Sequence, residues 1–282
     1  MKRIALATHA AAPSLTPSDA LLRTALEAYG VAVEALPWDG PLTAFDGADL
    51  VVVRSTWNYH RSPAAFLDWI DRVGSSRIVN SRTILNWNIN KRYLEQLAAS
   101  GVRTPTAAFI EGGARQIAAA MDRLGLERAV VKPQISASSE GLFLVDRSDA
   151  EGIDNAARRI GRGVIVQEVI GEIAESGELS LIFIDGEYTH CVLKKPKAGE
   201  FRVQAEFGGS AVGYEPPAEL VADARRVLEM VPDAPLYARI DGLALDGGLV
   251  LMEVELIEPE LFFQFSEVAA DRFAASLVRR LG

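Results

Sequence analysis

Among 282 residues there is one cysteine, Cys191, so neither an internal disulfide framework nor a Cys-x-x-Cys metal cluster can form. A reducing cytoplasm is the expected compartment. Excess positive charge is also missing: 29 Lys and Arg stand against 38 Asp and Glu, net −9. No bulk field therefore draws nucleic acid or an anionic membrane, and any polyanion must be held by a local site. No apolar run reaches the roughly 20 residues that span a bilayer. The start, MKRIALATHAAAP, has the outline of a secretion signal, but His9 interrupts its short apolar core and it reads as a first β-strand. Internal repeats, low-complexity segments and long linkers are likewise lacking.

What is present is ordinary globular composition, 49% hydrophobic and 24% charged. The length suffices for two domains. Up to about residue 80, short apolar runs (RIALAT, VAVEALPW, DLVVVRS, RIVN) alternate with helical stretches (TPSDALLRTALEAYG, SPAAFLDWIDRVG), which predicts a small doubly wound α/β unit. Thr16 or Ser18 is the expected cap of the first helix and Gly30 its stop. One helix is predicted over ILNWNINKRYLEQLAASG. Beyond it the strands TPTAAFI, RAVVKPQ, GLFLVD and GVIVQEVI are separated by helices at ARQIAAAMDRLG and DAEGIDNAARRIG. Two hairpins follow, with Asp185-Gly186 and Asp246-Gly247 as type I′ turns. The second half is therefore α+β with antiparallel strands.

The stretch MEVELIEPELFF sets four carboxylates, Glu253, Glu255, Glu258 and Glu260, into an apolar segment. Alternation puts Glu253 and Glu255 on one face of a strand and Met252 and Val254 on the other. Across the Asp246-Gly247 turn, LYARIDGLAL offers Arg239 and Asp241 to the same face. Three hard oxygen donors so gathered suit Mg²⁺; a solvated acidic face of an edge hairpin is the competing reading. Glu258 and Glu260, around Pro259, read as loop carboxylates.

Basic residues recur at the ends of elements. Lys132 ends the strand of AVVKPQ before a loop of small residues, Ser136, Ser138, Ser139 and Gly141, whose backbone can approach phosphate oxygens. The loop is not a Walker A motif. Lys91 stands at a helix start, Lys194 and Lys195 close HCVLKK, and Arg202 lies in GEFRVQ. The strand VIVQEVI ends with Gln167, Glu168 and Val169, and Glu178 follows in GELSLIF. Each of these alone also reads as a surface charge or an ordinary strand end.

In order, these pieces resemble the ATP-grasp superfamily over roughly residues 85 to 265. GEFRVQAEFGG is similar to the ribosomal-protein glutamate ligases and glutathione synthetases, and ARID with MEVE to the D-alanine:D-alanine ligases. DLVVVRSTWNYHRSPAAFLDWIDRV, LNWNINKRYL and EVELIEPELFF resemble the group that contains the D-cycloserine synthetase cyclo-ligase. The resemblance implies a pre-ATP-grasp α/β domain (1–90) and an ATP-grasp fold of two α+β subdomains (91–170 and 171–282) with nucleotide between them. It implies ATP and Mg²⁺ as cofactors and a carboxylate–amine ligase that works through an acylphosphate on an amino-acid-derived substrate, with ring closure within one molecule as a variant. A kinase acting on a small molecule and a non-catalytic nucleotide binder are the alternatives. The implied partners are a small amino-acid-like molecule and a second copy in a homodimer, with no nucleic acid or membrane.

By the same resemblance, Lys91 and Lys132 match lysines on the nucleotide phosphates, Ser136, Ser138, Ser139 and Gly141 the covering loop, and Lys194 a further nucleotide contact. Gln167, Glu168 and Val169 match the adenine hinge and Glu178 the ribose acid. Asp241, Glu253 and Glu255 fall at the metal positions, Glu255 where asparagine is usual. Arg239, Arg202 and Lys132 match the groups acting on the transferring phosphoryl. Gln204 replaces an asparagine of the glutamate ligases, which separates this chain from their peptide substrates. For the other substrate, RSTWNYH lies at the carboxyl end of a first-domain strand: Arg54 is expected to hold a carboxylate and Trp57, Asn58 and Tyr59 to shape a pocket, with Arg202 and Glu258 as further contacts. An interdomain packing loop is the alternative there. His9, His60 and His190 are read as structural, Trp38, Trp69 and Trp87 as packing, and Cys191 as a small buried residue.

Overall fold

The computed structural model describes residues 1–74, 77–137, 140–197 and 208–282. The chain opens with a parallel sheet of β1 (Arg3–Thr8), β2 (Ala32–Pro37), β3 (Leu50–Val53) and β4 (Ile78–Val79), in the order β2-β1-β3-β4. Helices α1 (Pro17–Ala28) and α2 (Pro63–Val73) connect the strands. Thr16 caps α1, its side chain accepting from the Asp19 amide at 3.0 Å, and Gly30 turns the chain beyond it with φ +75°. Trp38, Trp69, Phe45 and Phe66 fill the core beside α2, as expected for packing tryptophans.

Where one helix is predicted, two occur: α3 (Arg82–Asn88) and α4 (Tyr93–Ala99). Asn90 makes the break, its side-chain oxygen accepting from the Arg92 amide at 2.9 Å, a local bond that competes with the helical ladder. The break delivers Lys91 inward. An antiparallel sheet follows, β5 (Ala107–Ile110), β6 (Arg128–Pro133), β7 (Phe143–Asp146) and β8 (Val164–Glu168), ordered β5-β8-β6-β7. Helices α5 (Ala114–Leu124) and α6 (Ala150–Ile160) cover one face of it with Ile117, Met121, Ile153 and Ala156.

After the short α7 (Ile173–Ser176) come β9 (Glu178–Ile184), β10 (Glu187–Lys195), β11 (Ser210–Tyr214), α8 (Ala218–Glu229), β12 (Tyr237–Leu245), β13 (Gly248–Glu255) and α9 (Ala269–Arg280). The strands form an antiparallel sheet, β11-β10-β9-β12-β13. Both hairpins turn at Asp-Gly pairs with positive φ, 54° and 78° at Asp185-Gly186 and 49° and 73° at Asp246-Gly247. The sequence patterns do not single out β11, α8 or α9.

The two faces of this sheet divide by alternation. Leu179, Leu181, Phe183, Ala238 and Ile240 pack with α4 and α8. On the other face Ile182, Ile184, Val192 and Tyr237 join α1, α9 and the first sheet in one core. Further along that second face the residues become charged. A bulge falls where Asp241 pairs Glu253 but Gly242 pairs Leu251, leaving Met252 unpaired. The bulge corrects the simple alternation: Leu249 and Leu251 share the apolar face with Val254, and Met252 turns to the same cavity as Glu253 and Glu255.

β13 is an edge strand whose free backbone is satisfied by side chains from outside the sheet. Tyr93 Oη donates to the Val254 carbonyl at 2.9 Å and accepts from its amide at 3.0 Å. Asn88 donates to the same carbonyl at 2.7 Å and accepts from the Leu256 amide at 2.9 Å. Asn80, at the end of β4, donates to the Tyr237 and Leu256 carbonyls at 3.0 and 2.9 Å and accepts from the Leu236 amide at 2.7 Å.

Candidate active site

A cavity of about 600 Å³ lies between the four-stranded and five-stranded sheets. One wall is the charged end of the large sheet, to which four adjacent strands contribute: Lys194 from β10, Glu178 from β9, Arg239 and Asp241 from β12, Glu253 and Glu255 from β13. Register places Ser180, Asp241 and Glu253 in one row and Arg239 and Glu255 in the next. The facing wall carries Val130, Lys132, Leu144 and Gln167, with Glu168 and Val169 at the strand end. Lys91 and Ser136 close one end; Trp57, Tyr59, Ile257 and Glu258 lie beside it.

Asp241 is buried at the centre of the charged wall. Arg239 grips it through two nitrogens at 2.9 Å, Lys194 Nζ reaches it at 2.9 Å and Ser180 Oγ donates at 2.7 Å. Burial alone would raise its carboxyl, but Arg239 and Lys194 outweigh that and hold it below the usual carboxylate range. Arg239 also bonds Glu255 and donates to the Glu260 carbonyl at 3.1 Å. Burial, with Asp241 and Glu253 adding to it, still pushes Glu255 up to about 7 against the pull of Arg239. Glu178 pairs with Lys194 at 3.4 Å and is raised by burial.

Lys91 links three elements. Its Nζ donates to the Ser136 carbonyl at 2.7 Å and lies 3.0 Å from Glu253 Oε1, and its own amide bonds the Gln134 carbonyl at 2.8 Å. Lys132 has no carboxylate partner among the described residues. Burial depresses its pKa to about 8, with Lys91 acting the same way and Glu253 opposing. Around the rim, Arg128 pairs with Asp146 at 3.4 Å, Glu140 accepts from His60 at 3.0 Å and Arg61 at 2.9 Å, and Glu260 accepts from the Phe262 amide at 3.1 Å.

The expected site residues are thus largely brought together. Lys91, Lys132, Ser136, Gln167, Glu168, Val169, Glu178, Lys194, Arg239, Asp241, Glu253, Glu255, Trp57, Tyr59 and Glu258 all line one cavity. Gly141 is the turn residue of the loop, with φ +78°, and an added Cβ would stand 2.9 Å from Pro133 Cγ. Ser138, Ser139, Arg202 and Gln204 lie outside the described residues. The Glu168 carboxylate is engaged within the protein, accepting from the Thr106 amide at 2.6 Å.

The expected substrate pocket is corrected at two residues. Arg54 is buried, paired with Asp19 at 2.7 Å and bonded to the Pro259 carbonyl at 2.9 Å, and it does not line the cavity. A guanidinium so placed joins the first domain to the segment after β13 instead of meeting a substrate carboxylate. Asn58 is likewise spent on structure, accepting from Trp38 Nε1 at 2.7 Å and donating to Asp39 at 2.8 Å. The three expected metal ligands are also not a ready-made cage: among the described residues no three acidic, histidine or cysteine side chains converge to hold an ion. The reason is charge pairing, since each of Asp241, Glu253 and Glu255 is turned to a cation.

The histidines are structural: His190 meets the Leu261 and Phe262 carbonyls at 3.1 Å, and His9 the Ser55 carbonyl at 2.8 Å. Cys191 is buried and its thiol is pushed up to about 12, which makes it inert as a nucleophile. The motifs give no role to Asn80, Asn88, Ser180 or Tyr237. Their one sequence signal is a polar group inside an otherwise apolar strand or helix face.

A nucleotide-sized cavity between two antiparallel sheets, with lysines on both walls and a carboxylate row between them, defines an ATP-grasp protein, and the chain belongs to the ATP-grasp ligases. Residues 99–258 match the family model of the prokaryotic glutathione synthetase ATP-grasp domain, and residues 4–80 that of the N-terminal domain of D-cycloserine synthetase DcsG. Over 276 residues, 92% of either chain, it is 30% identical to the cycloserine biosynthesis protein DcsG of Streptomyces lavendulae. A glutathione synthetase of Synechococcus elongatus is 28% identical over 200 residues, 68% of this chain and 57% of that one. Among solved structures, D-cycloserine synthetase DcsG superimposes with a TM-score of 0.87 over 99% of this chain and all of its own. A D-alanine–D-alanine ligase of Bacillus anthracis shares the fold, with a TM-score of 0.68 at 14% identity over 100% of this chain and 97% of its own.

Proposed function

We propose that this ligase joins a carboxylate to an amine through an acylphosphate, with Mg²⁺ as its metal and an amino-acid-derived molecule as substrate. Ring closure within one molecule, as the name D-cycloserine synthetase implies for the relative, is the favoured form of the reaction. Opening the single amide bond of that ring leaves O-amino-D-serine, which carries both the carboxylate and the attacking amine.

The observation that carries this reading is the pairing, across one cavity, of a charged sheet wall with a lysine that has no carboxylate partner among the described residues. Phosphoryl transfer needs positioning and charge neutralisation more than covalent help. Lys132 and Lys91 meet the nucleotide phosphates, Arg239 and Lys194 stand over the point of transfer, and Asp241 locks Arg239 in one orientation. Gln167, Glu168 and Val169 offer backbone to adenine at the strand end, with Glu178 near the ribose. Asp241 gives all its capacity to Arg239, Lys194 and Ser180, so Glu253 and Glu255 are the carboxylates with oxygen left for a metal. That donor set fits Mg²⁺, which commonly takes one or two carboxylates, waters and substrate phosphates instead of an all-protein cage. When bound, the ion supplies charge neutralisation at the phosphate oxygens. In this reading the loop that holds Ser136 and Gly141 excludes water from the acylphosphate.

Incubation with ATP, Mg²⁺ and a panel of amino acids that includes O-amino-D-serine is expected to release ADP and phosphate, with hydroxylamine trapping the acylphosphate as a hydroxamate. A stable phosphorylated product would instead establish the kinase reading. Glu253→Gln is expected to abolish turnover, by at least about 100-fold, with circular dichroism unchanged. Near-normal activity in that variant would remove Glu253 from the metal site.

A further inference from the structure

All but two of the charged side chains lining the cavity have a partner among the described residues; the two are Lys132 and Glu258. Lys132 faces the nucleotide wall and is matched by a phosphate. Glu258 lines the same cavity, together with Trp57 and Tyr59. Its carboxylate takes no hydrogen bond or ion pair from the described residues, and burial first, then Glu255, raises its pKa well above the ordinary value. A carboxylate kept in a cavity without a counter-charge is costly unless a ligand supplies one.

The backbone under Glu258 is fixed at four successive carbonyls. Ile257 accepts from Tyr237 Oη at 2.8 Å, Glu258 from Trp57 Nε1 at 3.3 Å, Pro259 from Arg54 Nη2 at 2.9 Å and Glu260 from Arg239 Nη1 at 3.1 Å. So held, the segment aims Glu258 into the cavity and keeps it from swinging to a protein partner. Trp57 and Tyr59 line the cavity together with Glu258. Aromatic side chains beside a carboxylate suit an organic ammonium, which aromatic rings attract.

We propose that Glu258 receives the ammonium group of an amino-acid substrate, in a subsite walled by Trp57 and Tyr59. The proposal rests on the ligase reading and adds the feature that selects its substrate: a free amino group besides the reacting amine. In O-amino-D-serine the α-ammonium is that group, and the weakly basic aminooxy nitrogen remains free to attack.

The test compares amino acids with their deaminated counterparts in the hydroxamate assay: O-amino-D-serine against 3-(aminooxy)propanoate, and D- and L-serine against 3-hydroxypropanoate. Wild type is expected to favour the amine-bearing member of a pair by at least about 30-fold in kcat/KM. E258Q should erase that preference while MgATP affinity, followed by calorimetry, and melting temperature hold; E258D should restore part of it. Equal use of the deaminated acids overturns the proposal, as does an E258Q variant that keeps wild-type selectivity. MgATP binding with no amino acid activated overturns it too. A protein that fails to bind MgATP overturns the ligase reading itself, which separates the two failures.

Discussion

Lys132 shows how much a single residue's surroundings decide. Its neutral form is favoured by burial and by Lys91, which together bring its pKa down to about 8 against the pull of Glu253. The charged lysine costs folding stability below that pH and the neutral one does not, so this residue's share of stability rises from pH 8 towards its unfolded value near 10.4. Nucleotide binding runs the opposite way. ATP affinity measured by calorimetry without metal is expected to be highest below pH 8 and to fall as the pH passes through it. Lys132→Met should flatten that dependence and weaken ATP by roughly 2 kcal/mol, about 30-fold. At this scale the meeting of Arg239, Asp241 and Glu253 was legible in the sequence because strand alternation and the Asp-Gly turn fix their neighbours. Arg54 was not. A strand-end arginine looks the same from sequence whether it meets a ligand or a buried aspartate 35 positions away, and only packing against α1 decides for Asp19.

At the scale of elements, β13 depends on what lies outside the sheet. Tyr93 and Asn88 satisfy the outward amide and carbonyl of Val254 and the amide of Leu256, the strand that carries Glu253 and Glu255. Asn88→Ala leaves the Leu256 amide without its partner and the Val254 carbonyl with Tyr93 alone, and is expected to cost roughly 1 to 3 kcal/mol, read as a lowered denaturant midpoint. The bulge at Met252 has a second requirement. Gly242 has no room for a side chain, since an added Cβ would stand 2.7 Å from the Val250 carbonyl and from Leu249. Gly242→Ala should therefore displace β13 against β12 and lower both stability and turnover, measured by thermal melting and ADP release. Sequence patterns located both hairpins but missed the bulge, because one extra residue leaves an apolar run looking like unbroken alternation. They also merged α3 and α4, since Asn90 breaks the helix through a bond that a periodicity count does not register.

For the whole molecule, the connection between the first sheet and the rest is made by a few buried polar groups. Asn80 and Tyr237 bond across it, Tyr237 Oη reaching the Val53, Val79 and Ile257 carbonyls at 3.1, 3.3 and 2.8 Å. Tyr237→Phe is expected to loosen that junction, seen as a less cooperative thermal transition, with ATP affinity nearly kept because the two facing walls of the cavity belong to the other two sheets. Alternating strand and helix patterns made the architecture legible at this scale. What they could not supply was the meeting of Trp57 with Glu258, 201 positions apart, across two units of the chain. That meeting gives the protein a built-in optical reporter. Trp38 and Trp69 lie in the first core and Trp87 packs against Tyr93, so Trp57 is the one indole that lines the cavity. Its emission, tuned by the Glu258 carbonyl and by whatever fills the space beside it, should shift as the substrate end is occupied and stay nearly constant when nucleotide alone is bound, so one fluorescence titration reads the two ligands apart.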